Sequence, residues 1–319
     1  MKIKLGVSAC VIGDKVRFDS GHKRNHFICE ELSPYLEFVP VCPEVGIGMS
    51  VPRPTIRLLD RGDEIGVRLV ETKNPDADYT DKMEAFSRKK VDHLASMDLC
   101  GYVVCAKSPT CGMERVKVYQ ENGYVAAEKN GVGLYTQQLI SRMPWLPIEE
   151  DGRLHDPVLR ENFVFRIFTL RDFYDCMADG ITRRAIVEFH SRYKLVLMAH
   201  SPTDYKSLGK FVARIAEYDI EEFYFEYRTR FMQAIANRAS RKNNTNVLMH
   251  LQGYFKRDLD KIQKEELAEL IHSYRKGIMP LLVPLTLINH HLQQHPDDYL
   301  RQQSYLNPYP ETLRLRYGL

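Results

Sequence analysis

The chain has 319 residues, of which 44% are hydrophobic and 27% are charged, and its formal net charge at pH 7 is +3. This length allows about two domains, each able to bury its own core. So mild a charge does not by itself demand a nucleic-acid or membrane partner. The longest apolar stretch, IMPLLVPLTLI (278–288), is far shorter than the about 20 residues that cross a bilayer, so we expect no membrane association.

The seven cysteines are odd in number and irregularly spaced, which argues against the disulfide framework of a small secreted protein. The N-terminal sequence MKIKLGVSACVIG has too short an apolar run for a signal peptide, and it predicts an opening strand. We therefore expect a soluble, cytoplasmic protein with reduced thiols. In that compartment, cysteines on loops more often serve metal or redox chemistry than cross-linking.

An α/β pattern covers residues 1–150. Short apolar runs at 3–9, 36–41 and 101–106 predict strands, and the periodic stretch 78–97 predicts an amphipathic helix. Continuous apolar strands that alternate with amphipathic helices are typical of a parallel sheet covered on both faces. The first domain is thus predicted to be α/β with a mainly parallel sheet.

A polar, proline-bearing stretch then separates two regimes of composition, and 151–180 is predicted to connect the domains. Residues 181–319 are poor in glycine and helical in periodicity, which predicts an all-α bundle of four to six helices. One predicted helix begins near the cap residue Ser201, and another ends at Gly277. The predicted helical segments are 201–218, 221–239, 246–257, 264–277 and 280–294.

Three cysteines each follow a predicted strand of the first domain: Cys10, Cys42 and Cys111. Loops at the carboxyl ends of parallel strands gather in one crevice, which is where ligands bind. Three thiols distant in sequence can therefore meet there. A cysteine at a strand end is also often a small buried apolar residue. We assign four other cysteines to this second interpretation: Cys29, Cys100, Cys105 and Cys176.

Polar neighbours favour a chemical role for the three thiols. Glu44 follows Cys42 by two residues, and Ser108 precedes Cys111 by three. These convergent loops would bring together a carboxylate, a hydroxyl and three thiols. Such a set of reactive side chains is typical of a functional site and not of a hydrophobic core. Two plainer interpretations stay open, because Glu44 can be a solvated carboxylate and Ser108 can cap its Ser-Pro-Thr turn.

Several separated motifs of the first domain occur in the order found in a known family. They are SAC (8–10), GDKVRFDSGHK (13–23), VCPE (41–44), VPRP (51–54) and SPTCG (108–112). Through these motifs residues 1–150 resemble the thiouracil desulfurase (TudS) family.

The second half resembles a YbgA-type helical domain. The motifs that carry this resemblance are HSRYKLVLMAHS (190–201), LMHLQGYFK (248–256), YRKGIMPLLVPLTL (274–287) and YLNPYP (305–310). The joint GRLHDPVLRENF (152–163) is similar to that of the fused arrangement of the two domains. The chain is thus identified as YbgA-like.

The first resemblance implies that Cys10, Cys42 and Cys111 ligate a 4Fe–4S cluster and leave one iron without a protein ligand. That iron would bind the sulfur of a thiolated pyrimidine and polarise its C=S bond. Water would then replace sulfur by oxygen without net redox change. The resemblance further implies Glu44 as the acid/base and Ser108 as a donor to the substrate or to developing charge.

Two alternatives remain at this point. The three cysteines with Glu44 or a histidine can instead form a purely structural zinc or Fe–S site, with the helical domain as a protein- or RNA-binding module. In the other alternative, the helical domain restricts the enzyme to thiolated tRNA or to another sulfur donor. The basic sequence RASRK (238–242), near Arg228 and Arg230, can contact RNA phosphate or form a solvated helix face. Arg53 and Arg57 can orient a carbonyl group or an anion, but exposed arginines beside prolines usually cover a surface, and this second interpretation is preferred for both.

Overall fold

The computed structural model describes residues 2–64, 66–122, 124 and 131–317. The chain divides into two compact units, Met1–Phe163 and Val164–Leu319. The first unit contains the strands and the second is helical, as the composition predicts. Among the described residues, no helix combines the length and the apolar character needed to cross a bilayer.

The described residues of the first unit form two sheets. Their strands are β1 (Ile3–Ser8), β2 (Leu36–Val41), β3 (Ile56–Asp60), β4 (Val67–Glu71), β5 (Gly101–Val104), β6 (Val118–Gln120) and β7 (Ile148–Glu150). One sheet has the order β2-β1-β5-β7 and is parallel throughout. The other has the order β4-β3-β6, in which β3 pairs antiparallel with β4 and parallel with β6. The α/β prediction with a mainly parallel sheet is confirmed.

Burial explains why the central strands read as continuous apolar runs. Leu5 and Val7 of β1 and Val103 of β5 have no exposed surface, because helices cover parallel sheets on both faces. The strand predicted at 101–106 is shorter than expected, since β5 ends at Val104. The residues that follow turn away as a loop and reach the candidate site.

Helices α1 (Pro43–Gly46), α2 (Thr80–Ala95) and α3 (Leu134–Arg142) belong to the first unit. Helix α2 confirms the amphipathic helix predicted at 78–97, and it buries Met83, Val91 and Leu94. Met83 also joins a smaller core beside the second sheet, formed with Leu58, Leu69, Val116 and Leu134. This core supports the start of α3, which positions part of the site.

The boundary between the units falls inside the stretch 151–180, predicted to connect the domains. That stretch is largely helical, because α4 (Pro157–Cys176) runs through the boundary. Helix α4 forms here because its start is well capped. Pro157 occupies the first helical position, and Asp156 accepts the N–H groups of Val158 and Leu159.

The second unit is all-α, as predicted. It continues with α5 (Arg183–Arg192), α6 (Lys194–His200), α7 (Pro202–Ala213), α8 (Ile220–Ala234), α9 (Arg241–Tyr254), α10 (Lys261–Lys276), α11 (Leu282–Gln294) and α12 (Asp298–Arg301). The expected four to six helices were too few for the described part of this unit. Helices α5, α6 and α12 lie outside the five predicted segments. Helix α6 is short and mostly buried, which hides its helical period.

Stop and start signals of the second unit were predicted correctly. Ser201 is the N-cap of α7 and accepts the N–H of Asp204. Gly277 ends α10 with φ of 83°, a left-handed conformation that glycine adopts without steric cost. Aromatic rings from several helices fill the core, and Phe189 stacks on Tyr193 with centroids 4.4 Å apart.

Arg228 and Arg230 do not form one exposed basic face. Arg228 is buried on α8, and its guanidinium lies 5.1 Å from the ring centroids of Tyr224 and of Phe225. Arg230 is ion-paired with Glu226, one helical turn away. The positive charge of this helix is thus largely engaged within the fold.

We expect the second unit to lose stability in acid, because His190 is buried as a neutral ring. It is 4% exposed, its Nδ1 lies 3.1 Å from the Tyr227 hydroxyl, and burial lowers its pKa to about 4 from 6.5. Between these pH values the unfolded chain binds more protons, so stability is complete above pH 6.5 and falls towards pH 4. The loss is about 3 kcal/mol.

Denaturant titrations of the full chain between pH 4 and 7 measure this effect. His190→Gln, which cannot take up a proton, should flatten the pH dependence. A residual slope is expected from His200, whose pKa burial also lowers to about 4. The exposed His272→Gln is the control and should keep the full slope. Equal slopes for His190→Gln and the unmodified chain would contradict the prediction.

Candidate functional site

Three cysteine loops meet at the carboxyl edge of the parallel sheet. Cys42 follows β2, Cys10 lies two residues after β1, and the loop with Cys111 follows β5. These strands are neighbours in the order β2-β1-β5, so the loops gather as expected for parallel strands. All three cysteines line one cavity of about 270 Å³.

The same cavity is lined by Glu44 and Ser108, so the five side chains singled out from the sequence share one site. Its remaining walls include Ser8, Arg17, Phe18, Lys23, Arg53, Cys105 and Lys107. Phe18, Lys23 and Lys107 are exposed, so the cavity reaches the protein surface.

Cys42 and Glu44 are positioned by the short helix α1. Cys42 is its N-cap, Pro43 takes the first helical position, and the Cys42 carbonyl accepts the N–H of Gly46 at 2.9 Å. The helix points Glu44 inward, where it is only 9% exposed. The Cys42 thiol donates to Glu44 Oε2 at 3.3 Å, so carboxylate and thiol are in direct contact.

The loop that carries Cys111 is held by the first turn of α3. Its N–H groups have no partner within the helix, and those of Tyr135 and Thr136 donate to the Thr110 carbonyl at 3.0 and 3.3 Å. The Thr136 hydroxyl donates to the Cys111 carbonyl at 2.7 Å. Cys111 is thereby held at 4% exposure.

A chain of hydroxyl groups links Ser108 to Glu44. Thr110 Oγ1 donates its only proton to Glu44 Oε1 at 2.6 Å. Ser108 Oγ lies 2.9 Å from Thr110 Oγ1, so Ser108 is the donor in the hydrogen bond between these two hydroxyl groups. Ser108 Oγ also accepts the N–H groups of Thr110 and Cys111. Ser108 therefore caps its turn and faces the cavity at once. Thr110 was missed, although it lies within the quoted motif SPTCG.

Gly133 should be intolerant of any side chain, because the Cys111 loop packs against it. A Cβ there would lie 2.4 Å from the carbonyl carbon and oxygen of Thr110 and 2.7 Å from the Cys111 nitrogen. These are backbone atoms, so Gly133→Ala must displace the loop. We expect a loss of about 1–3 kcal/mol in the free energy of unfolding and a lower iron content after reconstitution.

The matched control is Gly209→Ala in α7, where an added Cβ meets no atom within 4 Å. That change should stabilise its helix by about 1 kcal/mol and leave iron content unchanged. Denaturant titration and iron analysis measure both variants. Unchanged stability and iron content in Gly133→Ala would contradict the described packing.

Burial keeps two of the site thiols protonated. Burial and the Glu44 carboxylate raise the pKa of Cys42 to about 11. The same causes, in the same order, raise the pKa of Cys111. Metals bind thiolates, so loading of this site would release protons.

Cys105 is a fourth thiol in the cavity, and it was assigned to a strand interior. It actually lies one residue beyond β5, where its N–H donates to Ser8 Oγ at 3.1 Å. Its thiol is hydrogen-bonded to that of Cys10, which raises the pKa of Cys10 and lowers that of Cys105. No spacing signal in the sequence pairs these two residues.

Arg53 is part of the site, which corrects its interpretation as surface cover. Its side chain is 6% exposed, and Nη2 lies 3.8 Å from Glu44 Oε2. Nη1 donates to the Val16 carbonyl at 2.9 Å. The position of Arg53 within VPRP, shortly after Cys42-Pro43-Glu44, was a usable signal.

The donor set suits an iron–sulfur cluster better than a single zinc ion. Thiolates on one tetrahedral zinc lie about 3.8 Å apart, and among the described residues no three or more His, Cys, Asp or Glu side chains form a group that could hold a metal ion. Cluster thiolates bind different irons and therefore stand farther apart. Three soft sulfur atoms on separate loops line one cavity, and this is the kind of donor that iron–sulfur clusters take.

Comparison with known families agrees with this division of the chain. Residues 5–151 match the model of the family described as 2-thiouracil desulfurase. Residues 194–310 match that described as protein of unknown function DUF1722.

The chain is also similar to individual proteins. A solved structure titled [4Fe-4S]-dependent thiouracil desulfidase TudS is 23% identical, with a TM-score of 0.37, over 49% of this chain and 95% of that one. The uncharacterized protein YbgA of Escherichia coli (strain K12) is 40% identical over 159 residues, which are 50% of this chain and 94% of that protein. The chain therefore belongs to the YbgA family, and its first half matches the 2-thiouracil desulfurase family model.

Proposed function

We propose that residues 1–150 form an iron–sulfur-dependent desulfurase that removes sulfur from thiolated pyrimidines without net redox change. Residues 151–180 connect this domain to the helical domain, 181–319. The observation that carries the proposal is the shared cavity of Cys10, Cys42 and Cys111 with Glu44 and Ser108. The family match of residues 5–151 supports it.

Cys10, Cys42 and Cys111 would hold a 4Fe–4S cluster. When bound through three thiolates, the cluster supplies one iron without a protein ligand, a Lewis acid suited to the soft sulfur of a C=S group. The overall reaction is hydrolysis, in which C=S and water give C=O and hydrogen sulfide. It transfers protons and no electrons, so the chain must provide groups that move protons.

Glu44 is the group best placed to move them. Its Oε2 lies 3.3 Å from Cys42 Sγ, beside a proposed cluster ligand. Once Cys42 is a thiolate, it no longer donates a proton to Oε2, which can then accept one from an attacking water. The same carboxyl can later return that proton to a ring nitrogen or to the departing sulfide.

Thr110 and Arg53 hold this carboxylate in place. Thr110 donates to Oε1 at 2.6 Å, so only Oε2 is left for chemistry. The Arg53 guanidinium lies 3.8 Å from Oε2 and forms an ion pair with the carboxylate. The two contacts fix the orientation of Glu44.

Ser108 would act on the substrate through its hydroxyl. Its oxygen already accepts two backbone N–H groups, which fixes its position at the cavity wall. By rotating its O–H from Thr110 towards the cavity, it can donate to the substrate or to charge developing on the attacked carbon's substituents.

Sulfide release by the full chain tests the proposal. The protein is reconstituted anaerobically with iron and sulfide, washed, and given a panel of a thiolated base, a thiolated nucleoside and a thiolated RNA. We expect a brown protein with about four irons that releases sulfide from at least one of them. A colourless, iron-free preparation with full activity would overturn it, as would a loaded protein inactive on the whole panel.

A further inference from the structure

The thiols of Cys10 and Cys105 touch each other across two neighbouring strands. Cys10 lies two residues after β1 and Cys105 lies one residue after β5, and these strands run parallel with Val7 opposite Val103. Their thiols are joined by a hydrogen bond. The proposed desulfuration uses Cys10 as a cluster ligand but assigns nothing to Cys105.

The backbone brings the two strand ends together. β1 and β5 are neighbouring strands, which lie about 4.8 Å apart, and a disulfide joins residues whose Cα atoms are about 4.4–6.8 Å apart. The hydrogen bond from the Cys105 N–H to Ser8 Oγ, 3.1 Å, fastens the chain beyond β5 to the end of β1. Cys10 follows on the first turn beyond β1, so both thiols lie at the same end of the strand pair.

Cys42 and Cys111, the other cysteines of the cavity, lie beside oxygen atoms. Cys42 donates to Glu44, and Cys111 Sγ lies 3.6 Å from Thr110 Oγ1. Cys29 does not line the cavity, and its thiol is directed to the Val11 carbonyl at 3.9 Å. Cys10 and Cys105 are the cavity cysteines whose thiols are hydrogen-bonded to each other, and Cys105 Sγ also lies 3.9 Å from the Ala106 carbonyl.

Small molecules can reach this pair. Both residues line the cavity, whose wall includes the exposed Lys23. The Arg17 guanidinium lies 3.8 Å from Cys105 Sγ.

We infer that Cys10 and Cys105 form a reversible disulfide whenever the cluster is absent. The pair is then a modification site that withdraws Cys10 from the metal-binding set until a reductant restores it. The disulfide itself stands on the contact between the sulfurs; only its effect on iron rests on the proposed function.

The step balances with a low-molecular-weight disulfide such as oxidised glutathione. The Cys105 thiolate attacks one sulfur, the small disulfide bond breaks, and one small thiolate leaves. Cys10 then attacks Cys105 Sγ, the bond between the protein sulfurs forms, and the second small thiolate leaves. Two protein thiols lose two electrons and two protons in total, and the small disulfide becomes two thiols.

The full chain, stripped of iron by a chelator and fully reduced, is incubated anaerobically with oxidised glutathione. Free thiols are counted, the intact mass is measured, and a digest without reductant is mapped. We expect the number of free thiols to fall by two from seven, and the intact mass to fall by that of two hydrogen atoms. The digest should contain a peptide cross-linked between Cys10 and Cys105. The Cys105→Ser variant should form no cross-link and keep all of its free thiols. The Cys29→Ser variant should form the cross-link and lose two free thiols, as the unmodified chain does.

A cross-link between other cysteines, or glutathione that stays attached to Cys105, would overturn the inference. Peptide mapping of the unmodified chain decides this without any variant. Iron uptake by the oxidised chain is then measured and should fall well below that of the reduced chain. If the cross-link forms but iron uptake is unchanged, the proposed role of Cys10 fails while the disulfide stands.

Discussion

Replacing Glu44 by glutamine is expected to lower the rate of sulfide release by about 10²–10⁴-fold, the usual contribution of a positioned acid or base. Glutamine keeps the size of the side chain and can accept the Thr110 hydroxyl through its amide oxygen. It cannot take a proton from water. Iron and sulfide content after reconstitution should therefore match the unmodified protein.

Glu114→Gln is the matched control, because Glu114 is an ion-paired carboxylate of the same unit, bound to Arg153, that does not line the cavity. Its sulfide release should stay near that of the unmodified chain. Thr110→Val adds a second measurement, since it removes the hydroxyl that holds Glu44 Oε1 and should lower the rate without removing the base. Full activity in Glu44→Gln would exclude Glu44 as the acid/base. Lost iron in that variant would instead favour a structural role.

Replacing Cys111 by serine is expected to remove the cluster and with it all measurable sulfide release. Loss of a hydrogen bond to a metal ligand costs about 10–100-fold in metal affinity, and loss of a ligand costs more. Serine preserves the shape of the loop and offers a hard oxygen where iron in a cluster prefers a thiolate. Cys42→Ser and Cys10→Ser should behave in the same way.

The measurements are iron content, the visible absorption of the reconstituted protein and sulfide release. Cys100→Ser provides the control, because Cys100 is a fully buried thiol that directs its sulfur to the Asp98 carbonyl at 3.5 Å and does not line the cavity. It should keep both iron and activity. A Cys111→Ser protein that retains four irons and its absorption would show that the cluster, if bound, is held elsewhere.

Local patterns were sufficient to predict which of the candidate side chains would gather in one cavity. An apolar run determines where a strand ends, and in a parallel sheet all such ends face one side. Cys10, Cys42 and Cys111 could therefore be expected together before any coordinates. Glu44 and Ser108 followed because each is within three residues of one of these thiols.

Interactions between distant segments could not be predicted in this way. The hydrogen bond between Thr110 and Glu44 joins residues 66 positions apart, and nothing local distinguishes Thr110 from any other buried threonine. Arg53 looked like a surface residue because local sequence does not report burial. Cys105 looked like part of a strand because its apolar run continues two residues beyond the last pairing of β5.

The amino-acid sequence by itself determined the two kinds of domain, the parallel sheet and the edge at which three thiols gather, because periodicity and strand ends are local properties. The tertiary structure alone decided which side chains touch. It placed Thr110 and Arg53 on the Glu44 carboxylate and Cys105 on Cys10. Those contacts depend on strand order and on the paths of loops, which neighbouring residues in the chain do not encode.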